Sequence, residues 1–281
     1  MISKTGYRLY QNLLMPSRVE EYRRLLQSLV NQGYVFLTIA ELARCSRNGM
    51  MPELSCIIRM DVDSDVATAE TMFDVAQSLA VRATYYFRLS TLDSSLMRRI
   101  AQRGSEVGFH YEELATTVKR LGLCNREQID QCIPEIRAAF RKNIAVYAQF
   151  AGALPQTIAS HGDWVNRKLR IPNQYALDQS LRKQFGIIAE AYDDWLNGPV
   201  KFRFSDNDAP DWWKPQSPSK AIDDRVSCIY FLLHPRQWRA NAWENVRIDV
   251  TRMAEGLRYS IRCGALGWHK KTCGASRNRA A

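Results

Sequence analysis

The run CIIRMDVDSD, Cys56 to Asp65, is the point from which the rest of the chain can be read. An apolar start, Cys56-Ile57-Ile58, leads through Arg59-Met60 to carboxylates at alternate positions, Asp61, Asp63 and Asp65. Strand side chains alternate between faces, so a strand continued through the run would point all three the same way. Like charges that close together repel, and a buried carboxylate without a partner is costly. A divalent cation at this strand end would neutralise them.

Outward from that run, strand and helix patterns alternate. Before it, Ser17-x-x-Glu20 has the form of a capping box, with Val19, Tyr22, Leu26 and Leu29 at helical spacing up to Gly33. YVFLTI (34–39) reads as a short extended piece, and Thr38-x-x-Glu41 opens a second helix. After the run, Val66, Ala69, Phe73, Ala76 and Ala80 form a helical stripe, followed by the β-rich RATYYF (82–87). Asp93 or Ser94 caps a helix that Gly104 ends, and SEVGFH (105–110) is the next strand. A helix from Asn125 carries Ile129, Ile133, Ile136 and Phe140, with Pro134 as a kink site. TIASHG (157–162), FGIIAEAY (185–192), KFRF (201–204) and SCIYFLLHP (227–235) are further strands. The last helix has Val246, Val250, Met253 and Leu257 at helical spacing. This alternation predicts a parallel α/β protein, and about seven strands from Leu54 onward suit a barrel. The polar, aromatic stretch 205–225 is a long loop of the kind that often carries function.

Of the four histidines, His110, His161 and His234 each end a predicted strand, as do Asp61 and Asp63. In α/β barrels the active site is built from the loops at that edge. A lone histidine beside an apolar segment is usually a packed core residue. Three histidines with two aspartates at one edge point instead to a metal, which uses neutral imidazole and neutralises clustered carboxylates. Other readings of the Asp-x-Asp pair fit less well. An EF-hand needs glycine and glutamate where Val66 and Met72 stand. A sugar-nucleotide transferase needs a nucleotide-binding half before the motif. An aspartyl phosphatase leaves the histidines unexplained.

The composition of the 281-residue chain is that of a globular protein, 46% hydrophobic and 24% charged. No segment approaches the ~18 consecutive apolar residues of a membrane span. The N-terminus lacks the apolar core of a signal peptide, so a cytoplasmic protein without integral membrane association is expected, with peripheral contact to the inner membrane face as a further option. A net charge of +10 favours acidic partners. The basic residues form no dominant block outside the tail, which argues against nucleic acid. The seven cysteines include no CxxC pair and are expected to be reduced thiols.

Taken in order, Asp61-Val-Asp63, RATYYF, SEVGFHYEEL, SHG and LLHPRQW resemble the polysaccharide deacetylase superfamily (carbohydrate esterase family four and its relatives). The closer likeness is to a divergent branch with RHDVD, GHEIGxHYE, HG and HPxxW motifs, associated with lipopolysaccharide and O-antigen biosynthesis. It runs from about Tyr34 to Tyr259, and the set is specific where any single motif is weak. The resemblance implies a distorted (β/α)7 barrel with an N-terminal helical lead-in. It implies a metal-dependent hydrolase that removes an N- or O-acetyl group from a sugar or glycan precursor in cell-envelope polysaccharide biosynthesis. Carried onto this chain, Asp61 is the base, Asp63 a metal ligand, His110 the first metal histidine and His234 the general acid. The family's second motif-two histidine falls on Leu114 here, and the branch's histidine before DVD falls on Met60. His161 is therefore the expected third ligand, with Glu112 as the alternative and zinc as the ion.

Arg59 is expected to hold Asp61 in its charged form or meet substrate. Tyr111, Asp206, Trp212, Trp213 and Trp238 are the other candidates for contact with the sugar. The expected organisation is a lead-in over 1–50 packed on the barrel, the barrel over 51–262 and a basic tail over 263–281. Two other readings remain open: a catalytically silent glycan-binding protein, motivated by Leu114 and Met60, and hydrolysis of a non-sugar amide or ester by the same site. The oligomeric state is not legible.

Overall fold

The computed structural model describes residues 4–208, 213 and 216–277, with side chains for 6, 7, 9–207, 213 and 216–264. Two helices, α1 (Lys4–Leu13) and α2 (Val19–Asn31), lead into strand β1 (Val35–Leu37) and helix α3 (Ile39–Asn48). There follow β2 (Ser55–Val62), α4 (Val66–Ser78), β3 (Thr84–Phe87), α5 (Ser94–Gln102), β4 (Glu106–Tyr111), α6 (Glu113–Leu121) and α7 (Arg126–Ala151). Next come β5 (Thr157–Ser160), α8 (Trp164–Leu169), α9 (Gln179–Gln184), β6 (Ala189–Glu190), α10 (Asp194–Asn197) and β7 (Phe202–Ser205). The chain closes with α11 (Pro218–Asp223), β8 (Cys228–Leu233) and α12 (Ala242–Arg277).

Every strand pair is parallel, in the order β6-β5-β4-β3-β2-β8-β7. Among the described residues no ladder joins β6 to β7, so the seven strands of this path, within an eight-stranded sheet, curl into a distorted (β/α)7 barrel that stays open on one side. Strand β1 pairs only with the first half of β2, Val35 opposite Ser55, while β3 takes the second half. The lead-in thus contributes one strand as well as helices.

The two faces of the sheet explain which residues reach the cleft. On β2 the odd positions Ile57, Arg59 and Asp61 point into the barrel, while Ile58, Met60 and Val62 join the outer apolar core with Phe73, Ile100 and Phe140. Gly108 is required by the interior: a Cβ there would collide with the Tyr86 ring, which crosses the barrel beneath His110. The floor is closed by α3. The amide of Ile39 donates to Thr84 Oγ1 (2.8 Å) and that of Ala40 to Glu106 Oε2 (2.9 Å). Buried Glu106 also accepts from the Thr84 and Thr157 hydroxyls, and burial outweighs these bonds to raise its pKa. With its floor sealed, the barrel has its opening at the C-terminal strand ends.

Local signals fare unevenly. Thr38 and Glu41 form the expected capping box on α3. Replacing Thr38 by alanine is expected to cost about 0.5–2 kcal/mol, read as a lower midpoint of urea unfolding; an unchanged midpoint would assign the cap to Glu41 alone. Ser17 and Glu20 do not make a box, since α2 starts at Val19 with Arg18 as its uncapped N-cap. Pro134 sits inside α7 without ending it. The strand expected over 185–192 is only Ala189–Glu190. Two of the cysteines expected to be reduced, Cys124 and Cys263, are bonded to each other across 139 residues. The helix α12 lies on α6 and brings them together, a contact no spacing in the chain foretells. That helix also runs past 262, where the tail was expected to begin.

Candidate functional site

The C-terminal ends of β2, β4, β5 and β8 surround a cleft of about 910 Å³. Asp61, Asp63, His110, His161 and His234 all line it, which brings together the five residues expected to act as base, ligands and acid. The third carboxylate of the opening run does not join them. Asp65 leaves the strand with a φ of 52° and caps α4 by accepting from the Thr68 amide.

Asp61 is held from its own strand. Arg59, two positions back and on the same face, is fully buried and forks onto both carboxylate oxygens at 2.7 Å. The guanidinium lies between the rings of Tyr86 (5.3 Å) and Tyr192 (4.5 Å) and donates to the Tyr192 hydroxyl. Burial alone would raise the Asp61 pKa, but the charge and hydrogen bonds of Arg59, with His110 beside it, hold the carboxyl below its ordinary value.

The two histidines expected as ligands are each held by the nitrogen turned away from Asp63. His110 Nδ1 faces the Ala159 carbonyl at 2.9 Å. A carbonyl can only accept, so the proton is on Nδ1 and the lone pair of neutral imidazole is on Nε2. That atom lies 3.2 Å from Asp63 Oδ1 and 3.4 Å from Asp61 Oδ2. A lone pair facing two carboxylates is repulsive unless a proton or a cation lies between them. His161 turns Nε2 to the same Asp63 oxygen at 3.6 Å, and its Nδ1 lies 3.2 Å from Glu112 Oε2, off-line for a full hydrogen bond. Burial lowers the His161 pKa, yet Asp63 and Glu112 outweigh it and lift it to about 9. Asp63 Oδ1 is itself buried and accepts no hydrogen bond.

These features fit a cation. Ligand atoms of a tetrahedral zinc site are about 3.3 Å apart, the separation that bond lengths of ~2.0–2.1 Å give. The Asp63–His110 distance of 3.2 Å and the Asp63–His161 distance of 3.6 Å lie close to that figure. A histidine ligand also needs its second nitrogen anchored. A second grouping shares His161: Glu112, His161 and Asp163 each offer a ligand atom within 4.8 Å of one another. The charges favour the Asp63 set nonetheless. Arg88 forks onto Glu112 and Lys119 neutralises Asp163 at 2.8 Å, whereas Arg88 donates to Asp63 only at its backbone carbonyl (3.2 Å). Glu112, the alternative ligand, lies beside His161 with its carboxyl held low by His161 and Arg88 against the effect of burial.

His234 has a different partner. The Asp206 carboxylate accepts from the His234 backbone amide (2.6 Å), from its Nδ1 (2.7 Å) and from Trp238 Nε1 (3.0 Å). Burial lowers the His234 pKa, and Asp206, with Asp63 and Asp61, raises it further, to about 9.

Several expected sugar contacts lie elsewhere. Asp206 is fully buried beneath His234, with its oxygens already taken. Arg59 is committed to Asp61. Tyr111 follows His110 on the strand and so points outward, into the core beside Phe140, with its hydroxyl towards Glu190. Trp238 is 1% exposed and packs against Tyr22, Trp213 and the Arg18 guanidinium. Trp213 packs on Phe204 and Phe231. Trp212 lies outside the described residues. Leu114 is buried in the apolar cluster under α6 with Val118 and Ile129.

The tie between Asp206 and His234 was missed, because it depends on strand pairing. β7 and β8 pair with Ser205 opposite Leu232, so the residues that follow each strand are neighbours. Arg88, Asp163 and the cleft-lining Tyr192 had no comparable signature.

No family model matches the chain, and no curated protein matches it. Solved structures share parts of its chain path. The chain is similar to a family 4 acetyl xylan esterase from Clostridium thermocellum in complex with a cobalt ion, at 17% identity over 64% of this chain and 73% of that one, with a TM-score of 0.36. It is similar to peptidoglycan deacetylase PdaC from Bacillus subtilis at 16% identity, 74% of this chain and 97% of that one, TM-score 0.36. It is also similar to a CE4 family pseudoenzyme from Bacillus anthracis at 12% identity, 74% and 62% coverage and a TM-score of 0.40. Among the described residues no helix is long and apolar enough to cross a membrane.

Proposed function

We propose that the chain is a metal-dependent hydrolase that removes an acetyl group, on nitrogen or oxygen, from a sugar. The reading rests on one observation above the others: a base held by arginine, a carboxylate with two anchored imidazoles and an aspartate-backed histidine all line one cleft. Its size falls within the usual ~300–1,000 Å³ of ligand pockets. Asp63, His110 and His161 would hold the ion, zinc in this reading. When bound, such a cation supplies Lewis acidity and lowers the pKa of water towards ~7.

The remaining steps fall to the chain's own side chains. Asp61, kept ionised by Arg59, takes a proton from the attacking water. His234, kept charged by Asp206, donates a proton to the departing amine or hydroxyl. Arg88 fixes Glu112, which fixes the His161 ring. The motif order, with its likeness to the branch tied to lipopolysaccharide, favours an acetylated precursor in cell-envelope polysaccharide biosynthesis as substrate, met at the inner face of the membrane. Within the lead-in over 1–50, α3 then acts as a floor to the barrel.

A second reading, a silent glycan-binding protein, has two observations in its favour. Arg59 occupies both Asp61 oxygens, which weakens the base. Glu112, His161 and Asp163 also form a competing carboxylate–imidazole group on the same histidine. Metal content separates the two readings. About one ion per chain is expected, retained through gel filtration and lost in His110→Ala. Acetate release from N- and O-acetylated sugars should disappear with it. Protein that stays metal-free after zinc or cobalt is supplied, and releases no acetate, would sink the hydrolase and leave the binder.

A further inference from the structure

Two helices at the mouth of the cleft carry apolar side chains that nothing in the described chain covers. On α12, Trp243, Val246, Val250, Met253 and Leu257 are 81, 46, 59, 75 and 65% exposed. They recur at intervals of three and four, so they form one stripe along the helix. The other side of α12 is the docked one, with Asn245 1% and Tyr259 0% exposed. On the N-terminal side, Leu9, Leu13 and Leu14 are 56, 41 and 75% exposed. Leu9 and Met253 also line the cleft, so the two apolar ridges flank its opening. The ridges are tied together through Asn12, whose amide donates to Asp249 and whose carbonyl accepts from Asn245. A contiguous exposed apolar surface of this kind marks an interaction site.

We infer that this face docks on an anionic lipid surface, with the cleft opening towards the headgroups. Charge selects the occupant. Arg247 and Arg258 follow Val246 and Leu257 on one shoulder of the stripe. Arg167 and Arg252 line the cleft. Among the described residues Arg252 and Arg258 are paired with no carboxylate. The chain as a whole carries +10. Apolar side chains with arginine beside them are the surface of a helix that lies in a bilayer interface, and the exposed Trp243 suits the headgroup level. The same three-four spacing could seat a helix of a second copy. That copy would cover Met253 and with it the mouth of the cleft, whereas a lipid surface delivers substrate to it. This last preference rests on reading the cleft as a substrate site; the docking itself requires no turnover.

The test is sedimentation of the full chain with sucrose-loaded vesicles, of phosphatidylcholine alone and of phosphatidylcholine with phosphatidylglycerol. Binding to the anionic vesicles is expected, weakened by salt and negligible on the neutral ones. Val250→Asp with Leu257→Asp should lower the partition coefficient by roughly tenfold or more, and so should Arg247→Glu with Arg258→Glu, both with unchanged circular dichroism. Absence of binding to either vesicle overturns the inference. So does wild-type binding by both variants, or a dimer in light scattering that the aspartate variant dissociates. Acetate release is assayed separately on soluble sugars: vesicle binding without release would remove the hydrolase reading and leave the docking, and release without vesicle binding would do the reverse.

Discussion

Alanine at His234 is expected to lower acetate release at pH 7 by about 10²–10⁴-fold, the range for loss of a general acid, with the metal content unchanged. His234 touches neither the Asp63 oxygen nor the other imidazoles in any recorded bond, so the ion should remain. A parallel loss of metal would instead make His234 a ligand. The pH profile gives a sharper version. An acid must be protonated to act, and Asp206 helps to lift the His234 pKa to about 9. Activity should therefore persist through neutrality and fall as pH rises through about 9. In Asp206→Asn the alkaline limb should move down towards the ordinary histidine value of ~6.5. An unmoved limb would mean that another group sets it. The same shift acts on stability. A histidine whose pKa is raised on folding stabilises the fold fully below its unfolded value, ~6.5, and that contribution is lost as pH rises through about 9.

Arg59→Ala should be the most damaging single change to stability, at about 3–5 kcal/mol, because it strands a buried carboxylate. The side chains of Arg59 and Asp61 are 0% and 3% exposed, so the carboxylate loses its main charge partner in a largely buried position. Replacing both, Arg59→Met with Asp61→Leu, should recover much of that loss while leaving no activity, since an apolar pair of similar volume carries no uncompensated charge. Urea unfolding measures both. A wild-type midpoint for Arg59→Ala would show that Asp61 finds another partner. The acid side carries the opposite sign from His234. Asp61 has its pKa lowered on folding, so its contribution is present above the ordinary value of ~3.9 and is lost as pH falls through the lower folded value.

The parts of the molecule legible in the chain are those set by local periodicity. Alternation along β2 and β4 put Arg59, Asp61 and His110 on one face, and the same alternation, applied to the next residue, would have turned Tyr111 outward. The placing of His110, His161 and His234 at strand ends was enough to gather them, because parallel strands joined by helices end at one edge. Asp61, Asp63 and the three histidines, all of which line the cleft, were brought together on that ground.

What periodicity cannot supply is who stands opposite. Asp206 reads as a loop aspartate until β7 is known to lie beside β8, when it becomes the carboxylate under His234. Nothing local to Glu112 tells that Arg88, on the neighbouring strand's exit, donates to both its oxygens. Cys124 and Cys263 are two of seven scattered thiols until α12 meets α6. The stripe on α12 makes the same point for apolar surface. Spacing of three and four identifies a face of a helix and leaves open which side the protein is on, and here Tyr259 turns inward while Val250 and Leu257 face out. Covalent order determines which side chains share a face. Long-range packing alone decides which charge, thiol or surface that face meets, because those partners lie tens of residues away along the chain and are brought near only when strands and helices pack.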